Sequence, residues 1–288
     1  MTVGIAALAA RSKAIVLVSD KALSLETSEG SLHGDTDLQK IVPFGKTGWF
    51  VLFSGGIVNC GAIIERSLER FNGLPKAERT SGKIVSSFET SLSAYRDSLI
   101  ESQILAPYLL TKELWSERPA KLIPLAESVV TEIQNDLNKF KLGCEFLLCG
   151  FDDNGDPQIF CFDEHRGRRS LTSQGIGVIG EGATDALERI LLQEWQTKDS
   201  VEEVLYAAYD AKAHSESSAG AVYSWDARVV VRGWSGAVPS RVQRLIESVF
   251  VDTTRSPFKK KDEVPTDWRE SLQAYGGGVL EKAKKRGK

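Results

Sequence analysis

A chain of 288 residues, 42% hydrophobic and 26% charged, has the composition of an ordinary globular protein, large enough for one sizeable domain or two small ones. A net charge of -3, with lysines and arginines dispersed except toward the C-terminus, excludes a nucleic-acid footprint across the body. No stretch approaches the roughly 20 apolar residues of a membrane span, and the N-terminal run lacks the basic lead of a secretory signal and is interrupted by Arg11 and Lys13.

The chain begins with two apolar strands, Thr2–Ala9 and Ala14–Val18, joined by a polar turn at Arg11-Ser12-Lys13 and running into Ser19-Asp20-Lys21. This places the N-terminus in the core, where chain ends are seldom found. Removal of Met1 would leave Thr2 with both a hydroxyl and a free α-amine, the equipment of an N-terminal threonine nucleophile. A polar stretch, Lys21–Asp37, precedes Ile41–Phe44, a turn, the apolar strand Trp49–Phe53 and Ser54-Gly55-Gly56.

Helical periodicity follows over Ile57–Phe71 and Ile84–Leu99. The segment 100–124 carries an apolar run, Ile104–Leu110, that reads equally as a partner surface or as a lid packed on its own body. Pro124–Phe140 is again helical. Glu145–Cys149 and Gln158–Phe162 form a hairpin around Asp152–Asp156. Ile176–Ile179 is a strand ending at Gly180-Glu181-Gly182, and helices are expected over Ala183–Trp195 and Val201–Ala213. A polar loop, His214–Ser218, leads to strands Ala221–Trp225 and Arg228–Arg232. Val242–Phe250 reads as one more short helix, and the glycine- and lysine-rich remainder as a largely flexible extension.

The order of strands, two helices, strands, two helices and strands is that of a four-layer αββα sandwich, an α+β fold. With a strand-borne Thr2 it resembles the N-terminal-nucleophile hydrolases, more narrowly the proteasome β-subunit family in its bacterial proteasome-like branch. The resemblance rests on Thr2–Ile5, Val16–Asp20, Lys40-Ile41, Phe53–Gly56, Leu148–Asp152, Ile179–Ala183 and Ser218–Val222. It spans residues 1–235, with an insertion at about 100–124, and leaves 236–288 as an extension.

The resemblance implies Thr2 as nucleophile, Asp20 and Ser218 as its supports, and a backbone amide near Gly55 or Gly56 as oxyanion donor, with Asp35, Glu181 and Ser215 also in the cleft. A second register leaves the nucleophile position empty. The family's catalytic lysine has no match, because its position falls near Asp35; Lys21 or Lys40 replaces it only if the intervening loop is rebuilt. Glu181 stands where the family has a serine.

Cys60, Cys144, Cys149 and Cys161 lie in apolar surroundings without CxxC spacing, as reduced core residues of a cytoplasmic protein. His33 and His214 have no evident metal partners, and no cofactor is implied. The expected function is a threonine-type peptidase or amidohydrolase, acting on peptide or amide bonds within a ring or other homo-oligomer and served by an ATPase or activator partner. A catalytically inactive homologue with a structural or partner-binding role, and a small-molecule amidase, are the alternatives.

Overall fold

The computed structural model describes residues 2–27, 30–35, 38–121, 125–163, 167–217, 224–254 and 273–281. In chain order the strands are β1 (Gly4–Ala9), β2 (Ala14–Asp20), β3 (Ala22–Thr27), β4 (Gly30–Asp35), β5 (Ile41–Pro43) and β6 (Phe50–Gly55). Four helices follow, α1 (Ile57–Asn72), α2 (Ser81–Ile100), α3 (Lys112–Lys121) and α4 (Glu127–Lys139). The chain returns to strands with β7 (Cys144–Phe151), β8 (Pro157–Asp163), β9 (Gly167–Ser170) and β10 (Ile176–Ile179). Helices α5 (Ala183–Leu192) and α6 (Val201–Ser217), strands β11 (Trp225–Val231) and β12 (Trp234–Ala237), and helix α7 (Ser240–Thr254) complete the named elements.

The fold is mixed α/β, with two antiparallel five-stranded sheets among the described residues, ordered β10-β1-β2-β11-β12 and β5-β6-β7-β8-β9. The chain divides into two compact units, residues 1–57 with 144–288, and residues 58–143. Both sheets belong to the first.

Successive strand side chains point to opposite faces, and here both faces are covered. Ile5, Ala7, Ala9, Val16 and Val18 pack with Val204, Leu205, Ala208 and Tyr209 of α6. Their neighbours Ala6, Leu8, Ile15 and Leu17 pack instead with Leu52, Leu147, Cys149, Ile159 and Cys161 of the other sheet. Burial on both faces explains why β1 and β2 read as unbroken apolar runs rather than as an alternation. Helices α5 and α6 are tied together by Asp210, which accepts from Arg189 Nε at 2.6 Å and from Gln193 Nε2.

The second unit has a small core of its own. Thr80 caps α2 through its Oγ1, which accepts from the Lys83 amide. Beyond α2 the chain widens into a π-helical turn, Glu101–Leu105, and then tightens through a 3-10 turn, Ala106–Tyr108. Ile100, Ile104, Leu105, Leu110 and Ile133 are buried together, so most of the apolar run 104–110 is packed on its own body. Ala106, Pro107 and Leu109 of that run are exposed, Leu109 at 91% and with a left-handed φ of 58°.

Three expectations are corrected. Lys21–Asp37 is not merely a polar connection, because β3 and β4 pair within it as an antiparallel hairpin with Ala22 opposite Asp35. The polar residues 214–217 continue α6 rather than forming a loop. The C-terminal extension is built in at two places: Ile246 and Val249 of α7, and Val279 of the helical stretch 273–281, join the core beside α6. Gly276, inside that stretch, approaches α6 so closely that an added Cβ would fall 2.1 Å from Glu202 Oε2. The Lys259–Lys261 run lies outside the described residues.

Candidate active site

Strand register assembles the site. β1 and β2 pair with Gly4 opposite Ser19, which sets Thr2 and Val3 against Asp20 at the end of β2. The Asp20 amide donates to the Val3 carbonyl at 3.2 Å, and Asp20 Oδ1 accepts from the Val3 amide at 2.8 Å. A one-residue offset would turn the carboxylate to the other face, so the hairpin fixes its aim.

The third member arrives from the far side of the β3–β4 hairpin. Ile41 is anchored between the sheets and pairs with Leu52, and Lys40 directly precedes it. Lys40 Nζ donates to Asp20 Oδ2 at 2.7 Å and to Thr2 Oγ1 at 3.2 Å. Thr2, Asp20 and Lys40 are 8%, 0% and 4% exposed. A carboxylate and an ammonium are costly to bury unless each is paired and hydrogen-bonded, and here both conditions are met. The arrangement holds a cation against a threonine hydroxyl in a site largely closed to solvent, where its field is weakly screened.

The Thr2 main chain is held from a second direction. Its carbonyl accepts from the Gly182 amide at 3.3 Å. At Gly180, with φ at 102°, a Cβ would lie 2.2 Å from the Thr2 carbonyl oxygen and 3.2 Å from Ser54 Oγ, so only glycine fits. Gly55, with φ at 111°, and Gly56 are exposed at the end of β6. Neither Cys149 nor Cys161 offers a rival nucleophile: burial is the main cause pushing both thiols above their ordinary range.

Neither a family model nor a curated protein matches the chain. The site is therefore read from its own geometry.

Of the residues expected at the site, Thr2 and Asp20 come together. Gly180 and Gly182 meet Thr2 through the backbone, while Glu181 between them is exposed. Ser215 lies within α6, buried, with its hydroxyl donating to the Lys212 carbonyl at 2.8 Å, so it is a helix residue and not part of a cleft loop. Ser218 lies outside the described residues. Asp35 ends β4, and its side chain is likewise outside what is described.

Lys40, which the sequence admits as a substitute lysine only if the intervening loop is rebuilt, lies against Thr2 and Asp20. Counting residues back from Lys40-Ile41 assumes an uninterrupted connection, whereas the β3–β4 hairpin takes up most of the chain between Asp20 and Lys40 and brings Lys40 back to the site. A residue that sequence reasoning passed over is Glu145, whose Oε2 accepts from the Gly180 amide at 2.8 Å. Its signal was present, since it is the only charged residue in the strand Cys144–Phe151. Among the described residues no group of three histidine, cysteine or acidic side chains is placed to hold a metal.

Proposed function

We propose that the chain is a threonine-type peptidase or amidohydrolase of the proteasome-like N-terminal-nucleophile kind, with Thr2 as its nucleophile. The observation that carries this reading is the Lys40 ammonium, 3.2 Å from Thr2 Oγ1 and held there by Asp20. A protonated amine at that distance lowers the cost of negative charge on the oxygen, and a buried carboxylate fixes the amine's position. Thr2, Lys40 and Asp20 supply an activated hydroxyl, a cation and an orienting anion, the division of labour of nucleophilic catalysis.

In this proposal Met1 is removed and the new α-amine of Thr2, with an ordinary pKa of about 7.7–8.0, takes the proton from Oγ1. Oγ1 attacks the substrate carbonyl, the leaving amine carries that proton away, and water hydrolyses the resulting ester. The exposed backbone about Gly55 and Gly56 is the proposed oxyanion donor. The two facing sheets, with α5 and α6 against one of them, support the αββα four-layer architecture of such hydrolases. The proposal includes a cytoplasmic ring or other homo-oligomer acting on peptide or amide substrates and served by an ATPase or activator. Among the described residues no helix is long and apolar enough to cross a membrane.

The test is hydrolysis of a fluorogenic peptide and amide panel by the native protein, T2A and T2S. Turnover that disappears in T2A and survives in T2S supports the reading. Equal turnover in all three, or none in the native protein after its N-terminus is verified as Thr2, favours a catalytically silent protein.

A further inference from the structure

Glu145 stands first in line among the charged residues of the two sheets that the proposed chemistry leaves unused. It is the second residue of β7, exposed, and its cross-strand neighbours are Ser54 on β6 and Asp163 on β8. Asp163 already has a partner, Arg169 Nη2 at 2.9 Å. Glu145 instead reaches out of its own sheet, and its Oε2 accepts the amide of Gly180, which follows β10 of the other sheet. A carboxylate accepting a main-chain N–H forms one of the stronger kinds of hydrogen bond.

What Gly180 touches gives that bond its consequence. The Gly180–Gly182 turn sits directly on Thr2: there is no room for a Cβ at Gly180 beside the Thr2 carbonyl oxygen, and the Gly182 amide donates to that same oxygen at 3.3 Å. The turn itself is glycine at two of three positions and in a left-handed conformation at the first, so it has little intrinsic preference for this shape. The start of α5 holds its carbonyls, with the Ala183 amide donating to Gly180 O and the Ala186 amide to Gly182 O, both at 3.0 Å, and Glu145 holds the Gly180 amide from the facing sheet.

We propose that Glu145 is a positioning residue: by anchoring Gly180 across the gap between the two sheets, it holds the turn that fixes the Thr2 main chain, and so sets where Oγ1 lies relative to Lys40. The rate consequence rests on Thr2 being the nucleophile; the positioning itself does not. A displacement of the nucleophile by about 1 Å costs on the order of a hundredfold in rate.

Glutamine keeps an acceptor at the same reach without charge, alanine removes it, and aspartate keeps the charge but withdraws it by one methylene. Two readouts are taken on E145Q, E145A and E145D: hydrogen exchange of the backbone amides in 176–186, and the rate of adduct formation at Thr2 with a β-lactone. E145A and E145D are expected to exchange faster at Gly180 and Gly182, with adduct formation down by about a hundredfold, while E145Q stays within about twofold of the parent. Should E145A not fold, E145D carries the comparison. Exchange that is unchanged in both overturns the proposal. So does E145Q labelling as slowly as E145A with parental exchange, since the charge would then act on substrate. If the parent protein never labels, the peptidase reading fails while the exchange data still decide the positioning role.

Discussion

Among the described residues of the first unit are two buried ion pairs of nearly equal length, built in different ways. Lys40–Asp20 is 2.7 Å, joining the end of β2 to the residue ahead of β5, and Lys212–Glu216 is 2.8 Å, one turn apart on α6. The helical pair is local, set by i,i+4 spacing, and its lysine lies 6.0 Å over the Tyr209 ring. The strand pair joins segments 20 residues apart and presents its ammonium to a threonine hydroxyl. Burial and an ion pair alone therefore do not identify a site, because both pairs have them. The Lys40–Asp20 pair has the Thr2 hydroxyl 3.2 Å from its ammonium, held there by sheet register, whereas the geometry of the Lys212–Glu216 pair follows helix periodicity.

The largest expected effect comes from breaking each pair on its lysine side. K40M is expected to slow labelling of Thr2 by at least about a hundredfold, as loss of a preorganised charge next to a reacting oxygen does. K212M is expected instead to destabilise by about 3–5 kcal/mol, because it leaves a buried carboxylate without its counter-ion. The folded fraction of K212M should label at the parental rate. Chemical denaturation and intact-mass kinetics on both variants check the contrast, and equal labelling losses would erase it.

Replacing both helical partners sharpens it further. K212M/E216L is expected to recover most of the stability lost in K212M, since apolar residues of similar volume substitute well for a buried pair. No corresponding double replacement at Lys40 and Asp20 should recover labelling. The measurement is the same pair of assays on K212M/E216L and K40M/D20L.

G180A comes next. The new methyl meets the Thr2 carbonyl oxygen, and the residue is left-handed, so the variant is expected to lose about 1–3 kcal/mol and to label more slowly. G277A, where a Cβ would meet nothing within 4 Å, is the control and should leave labelling unchanged.

The smallest effect concerns a buried group with no proposed chemical role. Burial pushes the Tyr275 hydroxyl up to about 12 from its ordinary value of 10.0. The folded state thus favours the neutral phenol: its contribution to stability is complete below pH 10 and is lost as pH rises toward about 12. Melting temperature against pH should fall more steeply over that window in the parent than in Y275F.

Much of this was legible in the residues, for identifiable reasons. The helix expected over Ile57–Phe71 runs Ile57–Asn72, and the strand Ile176–Ile179 appears as expected, because long periodicity and short apolar runs bounded by glycine carry strong local signals. Asp20 was legible as the polar end of an apolar strand. Lys40 was not, because its position depends on β3 and β4 pairing as a hairpin that takes up most of the chain between Asp20 and Lys40, which residue counting does not register. The helical stretch 273–281 was hidden for the opposite reason. Three consecutive glycines argue against a helix locally, and its support comes from Val279 packing in the core and from Gly276 lying against Glu202.

The most direct test is intact mass of the native protein before and after a threonine-reactive β-lactone, run beside T2A and K40M. The account predicts a starting mass lacking Met1, one adduct per chain in the parent, none in T2A, and adduct formation slowed by at least about a hundredfold in K40M. A retained Met1, or a Thr2 that labels as fast without Lys40 as with it, would contradict it.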